Sequence, residues 1–213
     1  MPETARGRYR RELLLDATAE LVAERGFHRV GIADIGAAAG VSGAAIYRHY
    51  PGKEALLVAL IDRVVVELLD RARDICDRAP TPQVALERLV DAHVEFALRD
   101  RSIIKVYDQE AHNLPEEDRL RLRRTQRTYA ETWVDVVLSC TGAQTRSRAR
   151  AVVHAVFGLL NSVADFESRV ARDELAALLR TMAQAVFERA AQTAAEASST
   201  MPSAMSASIS PSL

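Results

Sequence analysis

The sequence predicts an all-α fold of about nine helices, with a small N-terminal three-helix unit of helix-turn-helix outline leading into a larger helical body. Three observations predict it. Apolar residues recur at spacings of three and four along most of the chain, with no strand-like alternation and no internal repeat. The breaks between these runs carry the Gly or Pro that stops a helix: Gly26, Gly40, Pro51-Gly52, Pro80 and Pro82, Pro115 and Gly142. The first runs are short and the later ones long, so a compact head precedes an extended body.

The elements follow in order. From about Arg10, Leu14, Ala17, Leu21 and Val22 share one face of a first helix. Residues 1–9 hold little that could be buried and are expected to be mobile. Gly26 stands at the left-handed cap position, which frees Phe27 to fold back on the core. A second helix runs from Gly31 or Ile32 to Ala39 or Gly40, and Gly40 permits positive φ in the turn. Val41 pins that turn from inside. Ser42 is a good N-cap for a third helix, Gly43 to Tyr50, which Pro51 ends. Gly52-Lys53-Glu54 then opens a long helix to about Cys76, with an apolar stripe of Leu56, Leu57, Leu60, Ile61, Val64, Val65, Leu68 and Leu69. It is long enough to join head to body. Further helices are predicted over about 82–98, restarted by Thr81 and Pro82, then 101–112, 116–139, 144–167 and 172–195. The last 17 residues contain seven serines and no charged or aromatic group, which predicts a disordered tail. The expected organisation is a head over 1–54, a body over 55–196 and a tail over 197–213.

With 48% hydrophobic and 27% charged residues and no run of about 18 apolar ones, the chain reads as soluble, with no membrane partner. MPETARGRYRRE is not a secretory signal. The expected location is the cytoplasm, where Cys76 and Cys140 stay free thiols. No nucleotide-binding glycine loop, nucleophile elbow, HExxH or CxxC is present, so neither an enzyme nor a cofactor is predicted. Asp108, Glu110 and His112 are spread around a helix by their spacing of two, so no metal site is predicted there.

The third helix carries the chemistry. Tyr47, Arg48 and His49 stand in a row with Lys53 just beyond and no acid among them, a surface suited to phosphates and base edges. Net charge is only −1, but residues 1–53 hold eight basic groups against six acidic ones. A basic end on an acidic body suits contact with DNA at that end. Arg48 is the candidate for base-edge readout, because Arg bonds guanine bidentately. Ser42, Gly43, Ala44 and Ala45 are small enough for close approach to a groove, and the two alanines could meet a thymine methyl. Lys53 and its helix N-terminus form a candidate phosphate site. Ile46 and Tyr50 face the core. Arg6, Arg8, Arg10 and Arg11 are either a DNA-reaching arm or a solvated one.

In the body, His93, Phe96, Tyr107, Tyr129, Trp133, His154, Phe157 and Asn161 are candidates to line an apolar cavity with a few polar points. Arg119 to Arg127 is a dense basic run, read either as a solvated face paired with Glu116, Glu117 and Asp118 or as a site for an anionic ligand group. Ala151, Val152, Ala155, Gly158, Leu159, Ser162 and Val163 form a stripe that permits close helix contact, and Leu175, Leu178, Leu179, Met182, Ala185 and Val186 form another.

Residues 11–57 resemble the DNA-binding domain of TetR-type (tetracycline-repressor-like) transcriptional regulators. The resemblance rests on Gly26-Phe27, on Ile35-Gly36-Ala37-Ala38-Ala39-Gly40-Val41-Ser42, on Ile46-Tyr47-Arg48-His49-Tyr50 and on Lys53-Glu54-Ala55-Leu56. It covers about a quarter of the chain. It implies phosphate contacts from Tyr47 and His49, a homodimer packed through the last two long helices, and a double-stranded, palindromic DNA operator read as two half-sites. It also implies a small-molecule effector bound in the body, such as an acyl-CoA, whose phosphates would meet the basic run, or another hydrophobic metabolite; its binding tilts the long fourth helix and releases the operator. The sequence departs from the family at Gly31, where a Thr or Ser usually caps the second helix. It departs again at Gly36, expected to loosen that helix, and at Ala44. The competing reading is a helical small-molecule-binding or adaptor protein without specific DNA binding.

Overall fold

The computed structural model describes residues 5–112, 114–141 and 145–199. Among these, nine α-helices are found and no strand: α1 (Ala5–Arg25), α2 (Ile32–Ala38), α3 (Gly43–Tyr47), α4 (Lys53–Arg78), α5 (Pro82–Arg99), α6 (Arg101–Glu110), α7 (Glu116–Thr141), α8 (Arg146–Asn161) and α9 (Arg172–Ser199). Single 3-10 turns follow α1 (Phe27–Arg29) and α8 (Ser162–Ala164). No described helix is long and apolar enough to cross a membrane.

α1 to α3 form the head. Leu14, Leu15, Leu21 and Val22 of α1 are buried with Phe27, Ile35, Ile46 and Tyr50, and the same core continues into Leu56, Leu57 and Leu60 of α4. The stops work as their chemistry requires. Gly26 and Gly40 hold φ of 77° and 66°, a region that residues with a Cβ rarely adopt. Ser42 Oγ accepts from the Ala45 N–H at 3.3 Å. Gly31 has no side chain to cap α2. Instead Asp34 reaches back and accepts from the Gly31 N–H at 2.8 Å, which is half of a capping box.

Five expectations are corrected. α1 is already helical at Ala5, so at least part of the stretch expected to be mobile is ordered into it. α3 ends at Tyr47 rather than Tyr50. The N–H groups of His49 and Tyr50 both converge on the Ile46 carbonyl, at 2.8 and 2.9 Å, closing a tight turn ahead of Pro51. α8 ends at Asn161 rather than near Glu167. Gly36 does not loosen α2: it is buried, and a Cβ there would stand 2.8 Å from the Val41 carbonyl oxygen. The glycine lets the turn sit close over α2, where Val41 N–H donates to the Gly36 carbonyl at 2.8 Å. α9 carries the chain in helical form to Ser199. The rest of the serine-rich tail, residues 200–213, lies outside the described residues.

In the body, α4, α5, α7 and α8 pack side by side, and α9 lies against α5 and α8. Trp133, Leu89, Leu122, Val153 and Leu160 are fully buried between them. Head and body share α4. Arg63 of α4 donates to Asp16 at 2.7 Å and to Glu12 at 3.0 Å, holding α1 along it. α6 packs against α1 as well, and its first residue, Arg101, donates to the carbonyls of Val163 (2.8 Å) and Phe166 beyond α8.

Candidate functional site

The head presents one uncovered surface. Ile46 is fully buried and fixes the rotation of α3, which turns Ser42 and Ala44 outward. Tyr47 is 58% exposed, so it does not belong to the core of the head. Arg48 is exposed and makes no ion pair or hydrogen bond among the described residues, while His49 is half-buried. Gly43 has open space where a Cβ would stand. Because α3 stops at Tyr47, Arg48 and His49 extend from the turn after the helix.

Lys53 is engaged elsewhere than expected. Its Nζ donates to the Phe27 carbonyl at 2.9 Å and lies 4.2 Å from the centre of the Phe27 ring. The lysine therefore buttresses the turn after α1 against the start of α4 and keeps only part of its donor capacity for an anion. Of the N-terminal arginines, Arg11 lies over the Tyr50 ring at 5.4 Å and is committed to the head, whereas Arg8 and Arg10 make no ion pair among the described residues. The Arg6 side chain lies outside the described set.

The body forms a cavity of about 600 Å³ that opens to solvent on one side, a size suited to a small organic ligand. Seven of the eight candidate residues converge on it: His93, Phe96, Tyr107, Tyr129, His154, Phe157 and Asn161. Trp133 does not. It stands one layer back, fully buried, with its ring 5.1 Å from Phe157, 6.1 Å from Tyr129 and 6.3 Å from Phe187. Ile61, Val64, Val65 and Leu68 of α4 and Ile103 and Ile104 of α6 complete the apolar wall. The α4 stripe is legible in the sequence only as apolar periodicity, which does not distinguish cavity from core.

The inner wall is a polar relay. His93 Nδ1 lies 2.9 Å from Tyr129 Oη and Nε2 lies 3.1 Å from Asn161 Oδ1. The imidazole stacks on Phe157 at 4.8 Å between centroids. Burial lowers the His93 pKa to about 4, against a smaller upward influence of Asn161, so the ring is neutral near pH 7. Burial likewise raises the Tyr129 phenol above its ordinary range. The Trp133 indole N–H offsets this a little by lying near, without forming a full hydrogen bond.

Charge lies toward the outside of the cavity. Arg121 pairs with Asp118 at 2.9 Å and Asp62 at 3.5 Å. Arg123 and Arg127 are exposed, line the cavity and have no ion pair among the described residues. The basic run thus divides between the two readings: Arg121 belongs to a paired face, and Arg123 and Arg127 to the cavity. Glu131 also lines it, held below the usual carboxylate range by hydrogen bonds from Arg150 and then Arg146.

The two halves of this architecture match known proteins separately. Residues 14–60 match the family described as bacterial regulatory proteins, tetR family, and residues 79–165 match the tetracyclin repressor-like C-terminal domain. Together these matches span more than half of the chain. It belongs to the TetR family. The HTH-type transcriptional repressor KstR2 of Rhodococcus jostii (strain RHA1) is 29% identical to it over 129 residues, 60% of this chain and 63% of that repressor. The nucleoid occlusion factor SlmA of Shewanella woodyi (strain ATCC 51908 / MS32) is 34% identical over 114 residues, 54% of this chain and 57% of SlmA. In both cases the TetR-family match spans less than two thirds of the relative's length. Among solved structures, FadR of Bacillus subtilis in complex with stearoyl-CoA has a TM-score of 0.67 at 17% identity, over 84% of this chain and 97% of that one. That likeness concerns the fold.

Proposed function

We propose that this TetR-family chain is a homodimeric, ligand-responsive repressor in the cytoplasm that binds a palindromic double-stranded DNA operator and releases it when a small molecule enters the body. The observation that carries the reading is that one helix serves both ends. α4 starts in the head at Lys53, beside the surface bearing Tyr47 and Arg48, and further on supplies Ile61, Val64, Val65 and Leu68 to the cavity wall. A ligand that binds one tilt of α4 more tightly than another therefore shifts the separation of two reading heads. In this reading residues 1–54 recognise DNA through Ser42, Gly43, Ala44, Ala45, Tyr47, Arg48 and His49, with Lys53 holding the head to α4. Residues 55–196 bind ligand and dimerise.

The effector is an apolar molecule, with Arg123 and Arg127 positioned for an anionic group at its outer end. An acyl-CoA has that chemistry, and a FadR of the same fold is known in complex with stearoyl-CoA. The dimer forms through α8 and α9, whose Leu178 and Met182 are 49% and 44% exposed. Two heads so joined meet half-sites about 34–36 Å apart.

The test is a binding isotherm on the DNA flanking the protein's own gene, run against scrambled DNA. Saturable binding that resists scrambled competitor, and is reversed by an acyl-CoA or a hydrophobic metabolite extract, is the expected result. A shift that is only nonspecific and salt-labile would favour the helical binding or adaptor protein instead.

A further inference from the structure

The relay on the inner wall of the cavity has a direction, and the direction leaves one hydrogen-bond donor over. Tyr129 is buried, and its hydroxyl lies 2.9 Å from His93 Nδ1. The nearby Trp133 indole is a donor and cannot accept the hydroxyl proton. The proton is directed to Nδ1, which pairs the hydroxyl and the ring nitrogen within the protein. Nδ1 is then the accepting nitrogen, so Nε2 carries the imidazole hydrogen and donates it to Asn161 Oδ1 at 3.1 Å. The Asn161 amide is locked by that bond. Its oxygen is used, and its NH2 group has no partner among the described residues on a side chain that lines the cavity.

We infer that the cavity reads a neutral oxygen acceptor, a ketone or hydroxyl, on the buried part of an otherwise apolar ligand, through the amide nitrogen of Asn161. The inference rests on the reading of the cavity as a ligand site. It adds a point of chemical selection distinct from the arginines. A carboxylate has no counter-ion at the relay, because burial keeps His93 neutral. The cationic groups lining the cavity, Arg123 and Arg127, are both exposed. Along α7, Arg123 and Arg127 precede Tyr129 by six and two residues, about 9 and about 3 Å of rise, and both side chains reach solvent while Tyr129 is buried. A hydrocarbon at the relay leaves the amide hydrogens unpaired, which costs binding. A ketone accepts from them directly. A hydroxyl does the same and keeps its own proton for water or a second acceptor.

The experiment uses the full chain and an isosteric ligand pair, 2-undecanone and 2-methyl-1-undecene, with 2-undecanol and undecanoate alongside. Affinity is measured by displacement of the neutral fluorophore N-phenyl-1-naphthylamine. Trp133, the chain's one tryptophan, is a second reporter because its ring touches the cavity wall. The alkene is the more water-averse compound, so the quantity to follow is the ketone-to-alkene affinity ratio in wild type against variants. That ratio falls about tenfold in Asn161→Leu, the loss of one hydrogen bond; any general change in the cavity affects ketone and alkene together and cancels from the ratio. Asn161→Asp keeps an oxygen for His93 but exchanges the NH2 for an acceptor, so it discriminates against the ketone and retains the alcohol. A ratio unchanged in both variants, with fluorophore binding intact, overturns the inference and leaves the cavity reading standing. Undecanoate binding that depends on Asn161 more than ketone binding does overturns the requirement for neutrality. Failure of the wild type to bind the fluorophore or any probe removes the cavity reading beneath it.

Discussion

The imidazole Nε2 of His28 stands 2.6 Å from a carboxylate oxygen of Glu110, joining the head to the last residue of α6. The partners differ in setting, with side chains 74% and 10% exposed. α6 is anchored at its other end by Arg101 on the carbonyl of Val163, and between the two anchors it gives Ile103, Ile104 and Tyr107 to the cavity. A displacement of α6 is thus passed to the turn Phe27–Arg29. A double-mutant cycle of His28→Ala and Glu110→Ala, read by urea denaturation, is expected to give a coupling of about 0.5–1 kcal/mol, the range for a pair with one exposed partner. Amide hydrogen exchange at Phe27 to Val30 should quicken in either variant. Zero coupling would mean that this pair does not carry the connection between the head and α6.

Arg48 and Lys53 separate two functions that the sequence places side by side. Arg48→Ala removes a side chain with no partner in the described structure, so its stability should stay within about 0.5 kcal/mol of wild type. If Arg48 reads a base, discrimination between operator and scrambled DNA should drop by about 1–3 kcal/mol. Lys53→Ala releases the Phe27 carbonyl and ring, so it should lower the melting temperature and weaken both DNAs together. Equal losses for both variants on both DNAs would remove the distinction.

Much of this was legible beforehand, for identifiable reasons. The turns at Gly26 and Gly40 and the Ser42 cap are local chemistry, and local chemistry is written in the sequence, whereas the end of α3 at Tyr47 carries no such local mark. The cavity lining is written there too, because His93, Tyr129 and Asn161 are polar groups on otherwise apolar helix faces. What was not legible is pairing across distance. Nothing local brings Lys53 to Phe27, His28 to Glu110, or α4's apolar stripe to a cavity rather than a filled core. Gly36 belongs to the same class, since its neighbour is the carbonyl of a residue in the following turn.

That neighbour makes Gly36→Ala a sharp test. Alanine would gain about 1 kcal/mol in helix propensity. Against this, its Cβ would meet the backbone oxygen of Val41 at 2.8 Å, and a backbone atom cannot rotate away. Overpacking of this kind costs about 1–3 kcal/mol, so the substitution should destabilise the head and shift α3. Gly43→Ala is the control: its Cβ meets nothing within 4 Å. Stability should hold while operator affinity falls, if DNA occupies that space. A Gly36→Ala protein with unchanged denaturation midpoint would show that the turn relaxes freely.

His93 predicts a pH dependence with a definite sign. Its pKa falls from 6.5 to about 4 in the folded protein. Above pH 6.5 neither state holds the proton, and the stability contribution is fully present. Between pH 6.5 and 4 the unfolded chain takes up a proton that the folded one refuses, so stability falls as pH is lowered. Below pH 4 both states are protonated and the loss is complete, at about 3 kcal/mol. Denaturation midpoints at pH 7, 5.5 and 4.5 should therefore decline more steeply for wild type than for His93→Gln. Parallel curves would mean that the imidazole takes up its proton in place.

The apolar side chains on α9 test the assembly. Leu178 and Met182, four residues apart on one face, remain 49% and 44% exposed in the single chain. On α8, Ala151, Ala155 and Gly158 are exposed and small enough for a second copy to approach closely. A stable dimer covers roughly 800 Å² on each partner, which two helices of this length can supply. Placing a carboxylate at the centre of such a surface, as in Leu178→Glu combined with Met182→Glu, would bury unpaired charge on association. Sedimentation should then give a monomer whose helical content is retained, because neither side chain serves the core of its own chain. Operator affinity should fall by orders of magnitude, since each head would have to bind its half-site alone. A variant that remains dimeric and keeps its affinity would move the interface away from α9.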